Sequence, residues 1–221
     1  MGYTQSMVGF WDLSNVNPPD ICWRGLGNHG TGVNTPVVVD GIAGGKALEF
    51  DGDDAYVNLG DLTYLNAVSA FTIAFWMNQD VLDVADTLLF KYSTGLRNIA
   101  IQTLASGQFR FSIENNSTSY GQFDYSTVIS AGVWHQVVVV FDGSGAANAD
   151  RLKVYVDDSL VTLAFTGSIP ATTYNLAGVD VVLGNATFSF DGKLDEFMIF
   201  DAVLTQMNAA DLHARTRRGT I

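Results

Sequence analysis

The chain has 221 residues, 48% hydrophobic and 15% charged, with a formal net charge of −12. So acidic a balance lacks the basic footprint that releases counterions from nucleic acid, and it excludes that class of partner. No stretch reaches the roughly 18 apolar residues of a membrane-spanning helix, and the single cysteine, Cys22, excludes an intramolecular disulfide.

The first strand is expected at 7–13, where Val8, Phe10 and Asp12 alternate with Gly9, Trp11 and Leu13. No basic segment followed by an apolar one precedes it, so no export signal is expected. Residues 14–46 are rich in Asn, Gly and Pro and read as a long loop crossing one end of the fold, with Cys22 and Trp23 to pack it. Short strands at 47–50 and 56–59 flank Asp51-Gly52-Asp53-Asp54, residues that tolerate positive φ or cap their own backbone. At 71–78, Phe71, Ile73, Phe75 and Met77 make a core face. Residues 87–92, 98–104 and 108–114 read as a meander turning at Ser93-Thr94-Gly95 and Ser106-Gly107. The stretch 115–126 sets Tyr120, Phe123 and Tyr125 among Asn, Ser and Gln, and is expected to be an exposed recognition loop.

Residues 134–141 are apolar on both faces over their second half, as a central strand covered on each side requires. The run 151–157 turns Leu152, Val154 and Val156 inward and leads through Asp157-Asp158 into a strand at 159–165; another is expected at 179–183. At 191–200, alternation puts Asp195, Phe197 and Ile199 on one face and Leu194, Glu196, Met198 and Phe200 on the other. An acid heading an inward row must find a backbone N–H, a basic group, a water or a metal. Thr205 N-caps a short helix to Ala214, before the basic Arg215-Thr216-Arg217-Arg218. About twelve short strands, close turn signals and one terminal helix define an all-β fold, a sandwich of two antiparallel sheets over 1–221 as a single domain.

Six segments in this order carry a resemblance: Gly9-Phe10-Trp11-Asp12-Leu13; 39–57 with Gly44-Gly45-Lys46-Ala47-Leu48-Glu49-Phe50-Asp51-Gly52; Phe71-Thr72-Ile73-Ala74-Phe75-Trp76; Trp134-His135-Gln136-Val137; Leu152-Lys153-Val154-Tyr155-Val156-Asp157; and Phe190-Asp191-Gly192-Lys193-Leu194-Asp195-Glu196-Phe197 with Ala202-Val203-Leu204-Thr205. The chain resembles the laminin-G-like jelly-roll domains of the concanavalin A-like lectin/glucanase superfamily. The resemblance implies two stacked sheets, often one calcium site, and recognition of glycans or proteins on loops and on the concave sheet. In such jelly rolls the acid matching Asp195 shares an ion with backbone oxygens near the first strand and the Gly44-Gly45 turn. Asp12 is a further candidate for a structural Ca²⁺, which takes six to eight oxygen ligands.

Sugars are held by aromatic faces and by amides bonding their hydroxyls, which selects Trp23, Asn116, Tyr120, Gln122, Tyr125 and Tyr174 as candidate ligand-binding residues. Trp11, Trp76 and Trp134 are expected in the core. Glycanases of the superfamily carry paired glutamates on one strand; this chain has no Glu-x-Asp-x-Glu run, and Glu114 stands alone. His29, His135 and His213 fall on a loop, a strand and a helix, with no serine in a sharp turn and no zinc-ligand spacing. No catalytic residue is assigned. The expected function is a non-catalytic binding or structural module, a phage virion-surface decoration protein with glycan affinity that contacts a glycan or a capsid or tail protein, with the basic tail as anchor on an acidic partner. The alternative is a carbohydrate-binding module of a secreted bacterial protein, extracellular or at the cell surface; a polysaccharide hydrolase or lyase ranks third. The sequence leaves the oligomeric state open.

Overall fold

A computed structural model of the chain describes residues 6–14, 29–82, 84–93, 95–184 and 189–218. Among these residues, sixteen strands form two antiparallel sheets of eight. In chain order they are β1 (Met7–Trp11), β2 (Thr31–Val33), β3 (Val37–Asp40), β4 (Lys46–Asp51), β5 (Tyr56–Asn58), β6 (Ala70–Gln79), β7 (Thr87–Ser93), β8 (Leu96–Leu104), β9 (Gln108–Ile113), β10 (Tyr120–Asp124), β11 (His135–Asp142), β12 (Leu152–Val156), β13 (Ser159–Val161), β14 (Ala164–Thr166), β15 (Val182–Gly184) and β16 (Asp191–Phe200). The first sheet runs β13-β12-β11-β6-β16-β4-β3, with β1 also on β16; the second runs β14-β10-β9-β8-β7-β15-β5-β2. The described residues also form two α-helices, α1 (Asn148–Arg151) and α2 (Gln206–Thr216), and three short 3-10 turns at Ile42–Gly44, Thr63–Leu65 and Tyr125–Thr127.

Alternation builds the layers. Phe71, Ile73, Phe75 and Met77 of β6 meet Phe109, Phe111 and Ile113 of β9 and Ile99 and Ile101 of β8 in one core between the sheets. The other face of the first sheet is also dry, because Ala74, Val138, Val140, Met198 and Phe200 pack under Leu204, Ala209 and Leu212 of α2 and the segment before it. Thr216 pins the helix: its hydroxyl accepts from Trp76 Nε1 at 2.7 Å and Gln136 Nε2 at 3.0 Å and donates to Leu212 O at 2.9 Å. Thr205 caps the other end through Asn208 N–H at 3.3 Å.

Several expectations are corrected. The recognition loop at 115–126 contains β10, and Tyr125 is fully buried with its ring 6.4 Å from that of Phe109. The described part of the long loop carries β2 and β3. The single strand at 159–165 is two edge strands in different sheets, with Thr162 and Leu163 crossing between them. Trp11 and Trp76 are core, but Trp134 is only half-buried.

The largest correction is in β16. A bulge between Asp195 and Met198 adds a residue to the ladder with β6, and Glu196 takes φ 50° there. The phase reverses: Leu194, Phe197 and Ile199 point between the sheets, while Met198 and Phe200 lie under α2. Asp195, next to Leu194, is therefore on the outer side and does not head an inward row. The bulge falls where β16 exchanges neighbours, from β4 (Leu194 opposite Leu48) to β1 (Phe197 opposite Trp11).

Candidate functional site

The core residues of β8, β9 and β10 leave their neighbours on the outer face of the second sheet, the face without a helix among the described residues. Register aligns Phe90, Ala100, Ser112, Tyr120 and Thr166 in one row across the sheet, and Thr87, Gln102, Arg110, Gln122 and Ala164 in the next. Small residues therefore sit mid-face between aromatic walls. Phe90 and Tyr92 stack at 5.0 Å on one side. On the other, the Arg110 guanidinium lies 4.0 Å over the Tyr120 ring and donates to Gln122 Oε1 from Nε at 3.2 Å and Nη2 at 3.1 Å. The Ser112 hydroxyl is buried without a hydrogen-bond partner. Flat rings with a guanidinium and amides between them supply stacking surfaces, donors and acceptors to a polar ring.

Of the residues chosen from sequence, Asn116, Tyr120 and Gln122 come together on the β9–β10 hairpin. Tyr174 is half-buried, and its backbone N–H donates to Glu114 O at 3.1 Å. Tyr125 is excluded by its burial, and Trp23 lies outside the described residues. Sequence reasoning missed Phe90, Tyr92 and Arg110. The period of two in Phe90-Lys91-Tyr92 was the available signal for the first pair; Arg110 depends on strand register.

A second constellation forms at the bulge. Asp195 is 2% exposed. Its Oδ2 accepts from Ile42 N–H at 2.9 Å and its Oδ1 from Glu196 N–H at 2.7 Å. The Ile42 N–H comes from the turn before β4, where Gly41 N–H donates to Gly45 O at 2.9 Å. Only glycine fits at 41, since a Cβ there would stand 2.3 Å from Asp195 Oδ2. Glu196 Oε2 is buried with no hydrogen-bond partner. Burial pushes the Asp195 carboxyl up to about 8, with Glu196 and Asp12 adding negative charge against the two N–H donors. Burial, then Asp12, pushes Glu196 up to about 7. Asp12 reaches this place because β1 ends opposite Phe197, and its Oδ1 accepts from Ser14 N–H at 3.0 Å.

Buried carboxylates with too few donors and a glycine cradle fit an oxygen-seeking cation. Among the described residues, no group of three or more His, Cys, Asp or Glu side chains is arranged to hold a metal. A cation here therefore needs backbone carbonyls as well, the donor mix that suits Ca²⁺.

The outer face offers no glycosidase pair on β9 and β10. Asp124 is opposite Gln108, so Glu114 lies six residues further along, about 20 Å at the rise of a strand, against the roughly 5–9.5 Å that two catalytic carboxyls require. His135 is held on both nitrogens, with Nδ1 2.6 Å from Asp157 Oδ2 and Nε2 accepting from Ser130 N–H at 3.1 Å. It is a packed strand residue, as its sequence context suggests.

A jelly roll with one face sealed by a helix and the other lined with rings, amides and a guanidinium is a lectin-like binding fold. The family model Laminin_G_3 matches residues 51–210, and the chain belongs to the concanavalin A-like lectin/glucanases superfamily. No curated protein sequence matches the chain. Among solved structures it is similar to domain 4 of AbnA, a GH43 extracellular arabinanase from Geobacillus stearothermophilus, in complex with arabinotriose. There the TM-score is 0.64 at 19% identity, over 94% of this chain and 98% of that one. It is also similar to the binding domain of Paraclostridial Mosquitocidal Protein 1, with TM-score 0.71 and 14% identity over 96% of this chain and 52% of that one. The receptor binding domain of botulinum neurotoxin D gives TM-score 0.68 and 15% identity over 97% and 54%. The chain spans about half the length of these two binding domains.

Proposed function

We propose that this chain is a non-catalytic carbohydrate-binding domain whose ligand lies on the outer face of the second sheet. The observation that carries the reading is the Arg110–Tyr120–Gln122 group facing the Phe90–Tyr92 stack across Ala100 and Ser112. The arabinotriose in the AbnA domain 4 structure makes an arabinan oligosaccharide the first probe. A glycan array followed by titration calorimetry tests it: the wild type binds a defined glycan, Tyr120→Ala and Arg110→Ala bind it more weakly, and the glycan is recovered uncut. Binding unaffected by both substitutions, or release of shortened chains, overturns the proposal.

The same reading includes one structural Ca²⁺ held by Asp195 and Asp12 with carbonyls of the 41–45 turn. When bound, the ion would supply charge that lets Asp195 and the neighbouring Glu196 stay ionised, and would fix the turn to the bulge. Calcium added to chelator-stripped protein raises its melting temperature. A narrower version makes the domain a virion decoration protein; exposed Arg217 and Arg218 at the end of α2, against an acidic body, favour an anchor on an acidic partner. Mass spectrometry of purified particles from the source tests that version, and particles lacking the chain sink it.

A further inference from the structure

Where the second sheet meets its rim, the β7–β8 and β9–β10 hairpins stand side by side with a cavity of about 130 Å³ between them. Arg97, Glu114, Asn116, Ser117 and Thr118 line it, with Gly95 at the tip of the neighbouring hairpin. Glu114 is fixed on both sides, since its N–H donates to Asn98 O at 3.0 Å and its carbonyl accepts from Tyr174 N–H at 3.1 Å. The residue is 8% exposed, yet its Oε1 has no hydrogen-bond partner. Arg97 Nη1 is 3.8 Å from that oxygen, too far for a hydrogen bond. Register sets Arg97, which lines the cavity, opposite Tyr92 of the Phe90–Tyr92 stack.

The lining selects its ligand by charge. The Glu114 carboxylate repels an anion, and the Arg97 guanidinium repels a metal ion. A neutral group with adjacent donors and acceptors suits both: one hydroxyl donates to the carboxylate while its neighbour accepts from the guanidinium. The hydroxyls of Ser117 and Thr118 and the Asn116 amide at the hairpin tip extend the same chemistry. The volume is below the roughly 300–1,000 Å³ of drug-sized pockets, so it admits one unit and not a run of them. Its place at the ends of the strands is where a chain lying along the face would stop.

We propose that this rim cavity takes a vicinal diol of the terminal unit of a glycan, with Glu114 as acceptor and Arg97 as donor, so that the domain reads chain ends. The inference rests on the carbohydrate reading above and assigns its end point. Burial raises the Glu114 carboxyl, and the nearby Arg97 charge opposes the rise; a donated hydroxyl proton would favour the ionised form further.

Titration calorimetry on a chain-length series tests it, first α-1,5-arabino-oligosaccharides from the trimer to the polymer, or the same series of whichever glycan binds best on the array. Expected are one domain bound per chain end, equal molar affinity for trimer and polymer, and a loss of about ten- to a hundredfold in Glu114→Gln with its melting temperature retained. Arg97→Gln and Asn116→Ala, both nearer solvent, give the same loss if Glu114→Gln fails to fold. Several domains per polymer chain, or wild-type affinity in these variants while Tyr120→Ala weakens binding, overturns chain-end reading and leaves the carbohydrate reading standing. A wild type that binds no glycan overturns both.

Discussion

Replacing Asp195 by asparagine tests whether the bulge is an electrostatic liability that a cation relieves. In the metal-free protein the folded carboxyl titrates near 8, because burial, then Glu196 and Asp12, disfavours its charge; the unfolded chain releases the same proton near pH 4. A carboxyl raised in the folded state keeps a proton that the unfolded state gives up. Its stability contribution is therefore intact below about pH 4 and falls as pH rises toward 8, by about 1.4 kcal/mol per unit. Between pH 5 and 8 the wild type in chelator loses about 4 kcal/mol from this group alone, and Glu196, raised in the same direction, titrates with it as a coupled pair. Asparagine cannot titrate, but its NH₂ meets one of the two N–H groups that now point at oxygens, costing about 1–3 kcal/mol. Urea denaturation with chelator should therefore show Asp195→Asn less stable than wild type at pH 5, with the gap closing or reversing by pH 8. With saturating calcium the wild-type pH loss disappears and the variant gains nothing. Wild-type and variant curves that run parallel from pH 5 to 8 in chelator would refute the reasoning.

Gly41→Ala places a methyl group 2.3 Å from Asp195 Oδ2 and should abolish the calcium-induced rise in melting temperature, whereas Gly45→Ala, whose Cβ meets only Ile42 O at 3.3 Å, should keep it; a retained response in Gly41→Ala counts against the cradle. Lys91 is completely buried and holds Asp61 Oδ1 at 2.7 Å and Val179 O at 2.6 Å. Asp61→Ala strands that ammonium and should cost about 3 kcal/mol in urea denaturation, with part recovered by adding Lys91→Met; a cost below that of an ordinary surface substitution would show the pair to be dispensable. Tyr120→Ala removes the ring under Arg110 and should weaken glycan binding about five- to tenfold by calorimetry, a smaller loss than that expected for Glu114→Gln. Thr216→Val leaves Trp76 Nε1 and Gln136 Nε2 without their acceptor and should lower stability by about 2–4 kcal/mol; unchanged indole fluorescence and stability would deny the hydroxyl its role.

Periodicity carried the architecture a long way. Phe109, Phe111 and Ile113, or Leu152, Val154 and Val156, alternate into the core as their spacing dictates. It failed at Asp195 because the phase reverses through a glutamate at positive φ, and nothing in the residue type announces a bulge there. It missed β10 because an outer face rich in Tyr, Gln and Asp has the composition of a loop, and for the same reason Tyr125 looked accessible. The contact of Arg110 with Tyr120 and Gln122 depends on which residues of two strands stand opposite one another, a matter of register that local composition does not fix. Glu114 was legible only as a solitary acid; its half-satisfied carboxylate becomes visible once the neighbouring hairpin brings Arg97 alongside.

The clamp of α2 onto the first sheet makes the molecule two-sided. Trp76, with its indole bonded to Thr216 and its ring 5.0 Å from that of His213, seals one broad surface from traffic. Anything tethered beyond Arg218 hangs behind that sealed layer, leaving Tyr92, Tyr120 and the rim hairpins facing forward. A sensor chip or carrier coupled there would present every copy in the same orientation.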